Sequence, residues 1–142
     1  MTPEAAKFLD KARRLAKGAA AMLDAGFTEA AGRDAYLSGY HASANGRPAK
    51  THDGVKSEFS RLTKDDPRIA HELRAFLFSA SRLKEIADYE LGPVELPKER
   101  VAQAIETANK LVECVSVCAI ERQRQEASSE TGEWRAGFRG DK

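Results

Sequence analysis

The chain has 142 residues, which is enough for one domain with a sizeable core and too few for two domains of ordinary size. Apolar residues make up 42% and charged residues 32%, a balance too apolar for a disordered chain and too polar for a membrane protein. The net charge is +1, so a nucleic-acid site would have to be a local patch. No segment approaches the roughly 20 apolar residues that span a bilayer, and the amphipathic N-terminus is unlike a signal peptide. The sequence therefore predicts a cytoplasmic protein that does not enter a membrane.

Five prolines separate the segments in which apolar residues recur at helical spacing. The sequence predicts four long helices and one short one, over approximately 2–26, 28–44, 55–63, 66–91 and 97–122. Residues 45–53 are predicted to form a loop. No strand-like alternation or internal repeat is present, so we predict an all-α fold, an antiparallel up-and-down bundle. The bundle should occupy residues 1–124, and the polar segment 125–142 is expected to be a disordered tail.

Two glycines mark the second predicted helix, which is short and rich in small residues. Gly32 and Gly39 lie seven positions apart and hence on one face. Without side chains, they would allow another helix to approach closely.

The cysteines, Cys114 and Cys118, lie four apart on the apolar face of the last predicted helix. A four-ligand zinc site would need partners from among His41, His52 and His71, which lie in three different segments, so we expect buried structural thiols and no metal or other cofactor.

Polar and aromatic side chains are concentrated in the second predicted helix. Tyr36 and Tyr40 are one turn apart, which fits either core residues with solvated hydroxyls or a binding face. Arg33 and Asp34 lie beside the same surface and are explained less well by a role in the core, and both interpretations stay open. His41 lies on an adjoining face. Seven residues separate Arg33 from His41.

A basic segment follows, and it includes His52. It carries five lysines and arginines against Asp53 and Glu58, namely Arg47, Lys50, Lys56, Arg61 and Lys64. The segment is either a solvated loop or an edge that faces phosphate.

Charged residues near the end of the fourth predicted helix are explained by ion pairs on its surface. Arg82 with Glu85, and Lys84 with Asp88, are spaced to form surface ion pairs within one helix.

Three blocks of the chain, taken together, resemble the HEPN (higher-eukaryote and prokaryote nucleotide-binding) superfamily, and in particular its small stand-alone prokaryotic group. In chain order the blocks are Arg33-Asp34-Ala35-Tyr36 with His41-Ala42, then Lys50-Thr51-His52-Asp53-Gly54-Val55 leading to Phe59, and Arg82 with Ala87-Asp88-Tyr89. They span about residues 29 to 91, and the order of the predicted helices extends the resemblance to about residue 122.

The resemblance implies a helical bundle that forms a homodimer, belongs to a toxin–antitoxin or defence system and has a nucleotidyltransferase-type protein partner. Many HEPN members are toxins that cleave RNA without metal, using an arginine and a histidine that are separated by four to six residues. In the matching stretch of this chain Arg82 is followed by five residues and then by Asp88, which occupies the position of the histidine. An ionised carboxylate repels phosphate and donates no proton, which argues against catalysis.

Three functional interpretations remain open. The first is a catalytically degenerate HEPN-type module that binds a nucleotide, RNA or a protein partner. The second is an active ribonuclease toxin, in which Arg82 holds the phosphate and Asp88, His41 or His52 moves the proton. The third is a helical scaffold that assembles with a partner through the face of Gly32 and Gly39.

The candidate site residues divide by role. Arg82 and Asp88 are the candidates for catalysis, and the candidates for ligand binding are Arg33, Asp34, Tyr36, His41, His52 and Tyr89. RNA or a nucleotide is the expected ligand, and sequence-specific DNA binding is not expected.

Overall fold

The computed structural model describes residues 2–44, 51–92 and 94–140, with the side chains of the last helix described through Cys118 and at Ser128. Within these ranges there are five α-helices and no strand, which confirms the all-α bundle of four long helices and one short one. The helices are α1 (Pro3–Asp24), α2 (Thr28–Ala44), α3 (His52–Thr63), α4 (His71–Tyr89) and α5 (Lys98–Gly140). In the part of the chain described, no helix is both long and apolar enough to cross a membrane.

The limits of α1 are those that the sequence predicts. The hydroxyl oxygen of Thr2 accepts a hydrogen bond from the backbone N–H of Ala5 at 3.0 Å, and Pro3 occupies the first turn. After the helix, Gly26 adopts a positive φ of 91°, a conformation that glycine reaches without steric cost.

The short helix α3 begins at His52, earlier than the predicted start at Val55. The hydroxyl oxygen of Thr51 accepts a hydrogen bond from the backbone N–H of Gly54 at 2.9 Å and so caps the helix. The predicted loop over 45–53 is therefore wrong for His52 and Asp53, whereas residues 45–50 lie outside the described residues. As a result, His52 belongs to the first turn of a helix.

The start of α4 also differs from the prediction, which placed it at Asp66-Pro67. The Asp66 carboxylate accepts hydrogen bonds from the backbone N–H of Arg68 at 3.0 Å and from its guanidinium at 2.8 Å. This side chain therefore stabilises a local turn, and the helix begins only at His71.

Helix α2 occupies the centre of the bundle and packs against all four other helices. Its small residues make this possible, and Ala31, Gly32, Ala35, Ser38 and Gly39 are all buried. The Ser38 hydroxyl donates a 2.7 Å hydrogen bond to the carbonyl oxygen of Ala12 on α1.

The close helix approach predicted at Gly32 and Gly39 is confirmed. A Cβ atom at Gly32 would lie 3.4 Å from Cβ of Leu83, and one at Gly39 would overlap the ring of Phe76. Both neighbours belong to α4 of this chain. The face that the scaffold interpretation assigns to a partner is therefore already covered by the chain itself, and that part of the interpretation is wrong.

The last helix continues through Gly140 and so includes most of the segment predicted as a polar tail. The domain boundary at residue 124 stays a prediction. Cys114 and Cys118 are free thiols that pack, partly buried, against the core. The Cys114 thiol donates to the carbonyl oxygen of Arg68 at 3.7 Å, and burial raises its pKa.

Candidate functional site

Helices α2 and α4 are joined by ion pairs through Asp88, and we call Arg33, Lys84 and Asp88 the ion-pair cluster. Nε of Arg33 donates to one carboxylate oxygen of Asp88 at 2.8 Å, and Nζ of Lys84 donates to the other at 2.7 Å. The side chains of Lys84 and Asp88 are 21% and 25% exposed. Each oxygen of this carboxylate thus has its own cation.

These contacts decide the protonation state of Asp88. The hydrogen bond from Lys84, followed by that from Arg33, lowers the pKa of its carboxyl below the ordinary 3.8. Asp88 is therefore ionised at neutral pH and has no proton to donate.

Beside this cluster, α2 and α3 form an aromatic cluster of Tyr36, Tyr40 and His52. The hydroxyl of Tyr36 lies 2.9 Å from Nδ1 of His52. The His52 ring also stacks on the ring of Tyr40, with centroids 4.3 Å apart and planes inclined by 23°. The imidazole is thus held by a hydrogen bond at one edge and by an aromatic ring against one face.

The pKa shifts of Tyr36 and His52 decide which of the two residues donates the hydrogen bond between them. Burial is the main cause that raises the pKa of Tyr36, to about 12, so its phenol keeps its proton. Burial, and then the charges of Lys84 and Lys56, lower the pKa of His52 below 6.5. At neutral pH the phenol therefore donates to Nδ1 of a neutral imidazole, and the imidazole proton resides on Nε2.

Asp34 lies at the edge of the ion-pair cluster. Its carboxylate is 3.5 Å from Nη1 of Arg33, and its side chain is only 14% exposed. Burial raises the pKa of its carboxyl in spite of the adjacent guanidinium. Arg33 thus lies between two carboxylates, with the shorter contact, 2.8 Å at Nε, made by Asp88.

Arg82 does not join Asp88 in the way that a catalytic pair would require. Its guanidinium pairs with Glu90 at 3.0 Å and with Glu85 at 3.4 Å. The predicted surface ion pairs, Arg82 with Glu85 and Lys84 with Asp88, are both confirmed. The two candidate catalytic residues therefore pair with different residues, Arg82 with Glu85 and Glu90, and Asp88 with Arg33 and Lys84.

Tyr89 is an exposed neighbour of the ion-pair cluster. The residue is 71% exposed, and Nζ of Lys84 lies 5.6 Å from the centroid of its ring. This cation–π contact links it to Asp88 through Lys84.

His41 lies on the other side of α2. Its ring packs against Phe8 of α1 with centroids 5.9 Å apart, and against Tyr40 at 5.3 Å. Burial lowers its pKa. Arg33 and His41, which are close in the sequence, thus face α4 and α1 respectively.

Of the predicted basic segment, Arg47 and Lys50 lie outside the described residues. Arg61 pairs with Glu58 at 2.7 Å on the exposed side of α3. Lys56 differs, because its side chain is only 14% exposed and its Nζ lies 5.8 Å from the centroid of Phe78.

Sequence reasoning missed two contributors to this region. Lys84 was explained only as a surface partner of Asp88, and Tyr40 was not among the candidate ligands. The helical spacing of Tyr36 and Tyr40 was a usable signal for the second, since one turn separates them. No spacing could reveal the Arg33–Asp88 contact, because it joins two helices.

In the described parts of the chain, no three histidine, cysteine or acidic side chains are grouped so that they could hold a metal ion. Comparison with protein-family models and with curated proteins finds no match for this sequence.

Proposed function

We propose that the chain is a HEPN-type module that binds RNA or a nucleotide and does not cleave it. The observation that carries this proposal is the double ion pair of Asp88, whose carboxylate occupies the position of the catalytic histidine in the resemblance. A carboxylate held by two cations is neither a proton donor nor a strong base, and general acid–base catalysis is typically worth about 10² to 10⁴-fold.

The same region supports ligand binding. Arg33 and Lys84 are cations close to one surface, and the aromatic cluster beside them offers ring faces and hydrogen-bonding edges. Cations that contact phosphates, together with aromatic rings that stack with bases, are the usual means of binding single-stranded RNA. A homodimer, a nucleotidyltransferase-type partner and a role in a toxin–antitoxin or defence system belong to the same proposal, and they rest on the resemblance alone.

One observation favours a ribonuclease as the second candidate function. His52 has a neutral imidazole whose Nδ1 is held by Tyr36, and an imidazole of this kind is a suitable general base for the ribose 2′-hydroxyl. If the protein cleaves RNA, we therefore expect His52, and not Asp88, to be the general base.

The test combines cleavage and binding. Purified wild type and Arg82→Ala are incubated with total RNA in EDTA, and we expect the RNA to stay intact in both. Cleavage by the wild type alone would contradict the proposal and establish the ribonuclease.

Binding is then measured as fluorescence anisotropy of a labelled single-stranded RNA. We expect Arg33→Ala to weaken binding by about tenfold to a hundredfold, since a hydrogen bond to a charged group contributes about 1.5–3 kcal/mol. Arg13→Ala is the matched control, because Arg13 also joins two helices, through Glu113 of α5 at 3.3 Å. Equal losses in the two variants, or no binding by the wild type, would refute the RNA-binding module.

A further inference from the structure

The groove between α4 and α5 is a cavity that has no part in the proposed function. It has a volume of about 400 Å³, and none of its lining residues belongs to the ion-pair cluster or to the aromatic cluster. We propose that this groove binds a small amphiphile with a carboxylate head and an aliphatic body.

The groove follows from the way α4 and α5 lie on α2. Both helices pack extensively against α2 and much less against each other. The side chains nearest to the two buried glycines of α2 come from both helices, namely Leu83 and Val101 at Gly32, and Phe76 and Leu111 at Gly39. Along α2 the residue numbers of α4 thus fall while those of α5 rise, so the two helices are antiparallel neighbours with a groove between them.

The floor of the groove is apolar. Phe76, Ala80 and Leu83 of α4 line it, and they are only 2%, 5% and 1% exposed because they also belong to the core. Ala75 and Ala104 extend the apolar lining, and their short side chains leave the space between the helices unfilled. Small-molecule sites are typically lined by apolar side chains and have volumes of about 300–1,000 Å³.

The hydroxyl groups at the groove favour an aliphatic ligand. The Ser79 hydroxyl donates to the carbonyl oxygen of Phe76 at 3.2 Å, and the Thr107 hydroxyl donates to that of Gln103 at 2.9 Å. Each proton is thus engaged within its own helix. A sugar or a nucleobase would need such donors for its own polar atoms, whereas an alkyl chain does not need them.

Two charged side chains, Glu72 and Arg100, line opposite ends of the groove. Glu72 lies in the first turn of α4, and Arg100 lies in the first turn of the antiparallel α5, near Leu83. The eleven positions from Glu72 to Leu83 correspond to about 17 Å of helix. In the described part of the chain, neither charged side chain forms an ion pair.

The two ends differ in their preference for a charged head group. The positive N-terminus of α4 already stabilises Glu72, whereas Arg100 adds a positive charge to the N-terminus of α5, where Lys98 and Glu99 balance each other. A guanidinium also binds a carboxylate through two parallel hydrogen bonds. The ligand therefore lies with its carboxylate at Arg100 and its chain over the apolar floor.

The experiment measures the binding of decanoate to the full chain by isothermal titration calorimetry, below the concentration at which decanoate forms micelles. Decanol and decylammonium have the same chain, and hexanoate has the same head group. We expect each of them to bind about tenfold more weakly than decanoate, or more weakly still. Decanol lacks the charge, decylammonium is repelled by Arg100, and hexanoate buries fewer methylene groups.

Two pairs of variants locate the site. Arg100→Gln should weaken the binding of decanoate about tenfold and leave that of decanol unchanged. Lys98→Gln removes a cation from the same turn but not from the lining, and it should change neither. Ala104→Leu fills the groove and should abolish the binding of both ligands, whereas Ala102→Leu, at an exposed position outside the lining, should not.

An affinity for decylammonium equal to or above that for decanoate would overturn the proposal. Binding that survives Ala104→Leu would do the same, as would the absence of decanoate binding by the wild type. If Ala104→Leu fails to fold, Arg100→Gln still decides, because Arg100 is exposed and its replacement removes only the contact with the head group. The outcome is independent of the RNA experiment, since the groove shares no residue with the proposed RNA site.

Discussion

At the residue scale, Gly32 and Gly39 occupy the same face of α2 but differ in the room around them. A methyl group at Gly39 would overlap the ring of Phe76, which is only 2% exposed and cannot move aside. At Gly32 the nearest atom, Cβ of Leu83, would be at an ordinary contact distance of 3.4 Å.

Alanine at these two positions should therefore have opposite effects. We expect Gly39→Ala to lower the free energy of unfolding by about 1–3 kcal/mol, the usual cost of overpacking a core. Gly32→Ala should leave it unchanged or raise it by up to about 1 kcal/mol, because alanine favours the helix. Urea denaturation of both variants measures the difference, and equal stabilities would contradict the close contact with Phe76.

Asp88 gives a prediction with a defined pH dependence. We expect Asp88→Asn to lower the unfolding free energy at pH 7 by about 0.2–1 kcal/mol, the usual range for partly exposed ion pairs. The folded-state pKa of this carboxyl lies below the ordinary 3.8, so its stabilisation is fully present above 3.8. It is lost as the pH falls through the lowered value.

The difference between wild type and Asp88→Asn should therefore be constant from pH 5 to 7 and shrink below about pH 3.8. Denaturation curves collected across this range provide the measurement. A difference that grew toward low pH would mean that the carboxyl is destabilised, and not stabilised, by Arg33 and Lys84.

The ion-pair cluster also shows which contacts a sequence can reveal. The Lys84–Asp88 pair follows from its spacing of four within one helix, and it was predicted on that ground. The Arg33–Asp88 pair depends on how α2 and α4 are turned about their axes, which is set by packing along their whole length.

At the scale of the element, α3 is a helix of 12 residues whose position depends on its N-terminal cap. We expect Thr51→Ala to lower the unfolding free energy by about 1 kcal/mol, because the backbone N–H of Gly54 would lose its acceptor. Chemical denaturation measures the loss.

Thr107→Ala provides the control for this prediction. The Thr107 hydroxyl donates to the carbonyl oxygen of Gln103 inside α5, where the carbonyl already accepts helical hydrogen bonding. Its removal should cost nothing, since alanine has the higher helix propensity. Similar losses in the two threonine variants would show that Thr51 does not act as a cap.

Helix starts were predictable where a proline opens the first turn, and not where a side chain stabilises a turn before the helix. Pro3 and Pro97 both lie at the helix starts that were assigned to them. Pro67 does not, because the carboxylate of Asp66 binds Arg68 and stabilises a turn before α4. Thr51 belongs to one of the blocks that carry the resemblance, but the sequence did not predict that it caps a helix beginning at His52.

At the scale of the whole molecule, the pattern of apolar residues was sufficient to predict the bundle. Each long helix carries its buried residues at helical spacing, and this pattern survives errors of a few residues at either end. The site needed more, since Arg33, His52 and Asp88 come from three helices whose relative positions no single segment encodes. The proposed function depends on that arrangement, whereas the roles assigned to His41 and Arg82 stay predictions.

The central position of α2 has a consequence for how the chain folds. Its largest interface is with α1, to which it is joined by only three residues, and the buried hydrogen bond from Ser38 to Ala12 lies inside that interface. Closing so short a connection costs little entropy, so we expect this helical hairpin to form early in folding. During synthesis the hairpin emerges from the ribosome before α4. The face of α2 that carries Gly32 and Gly39 therefore stays uncovered until Phe76 and Leu83 of α4 have been made and can pack against it.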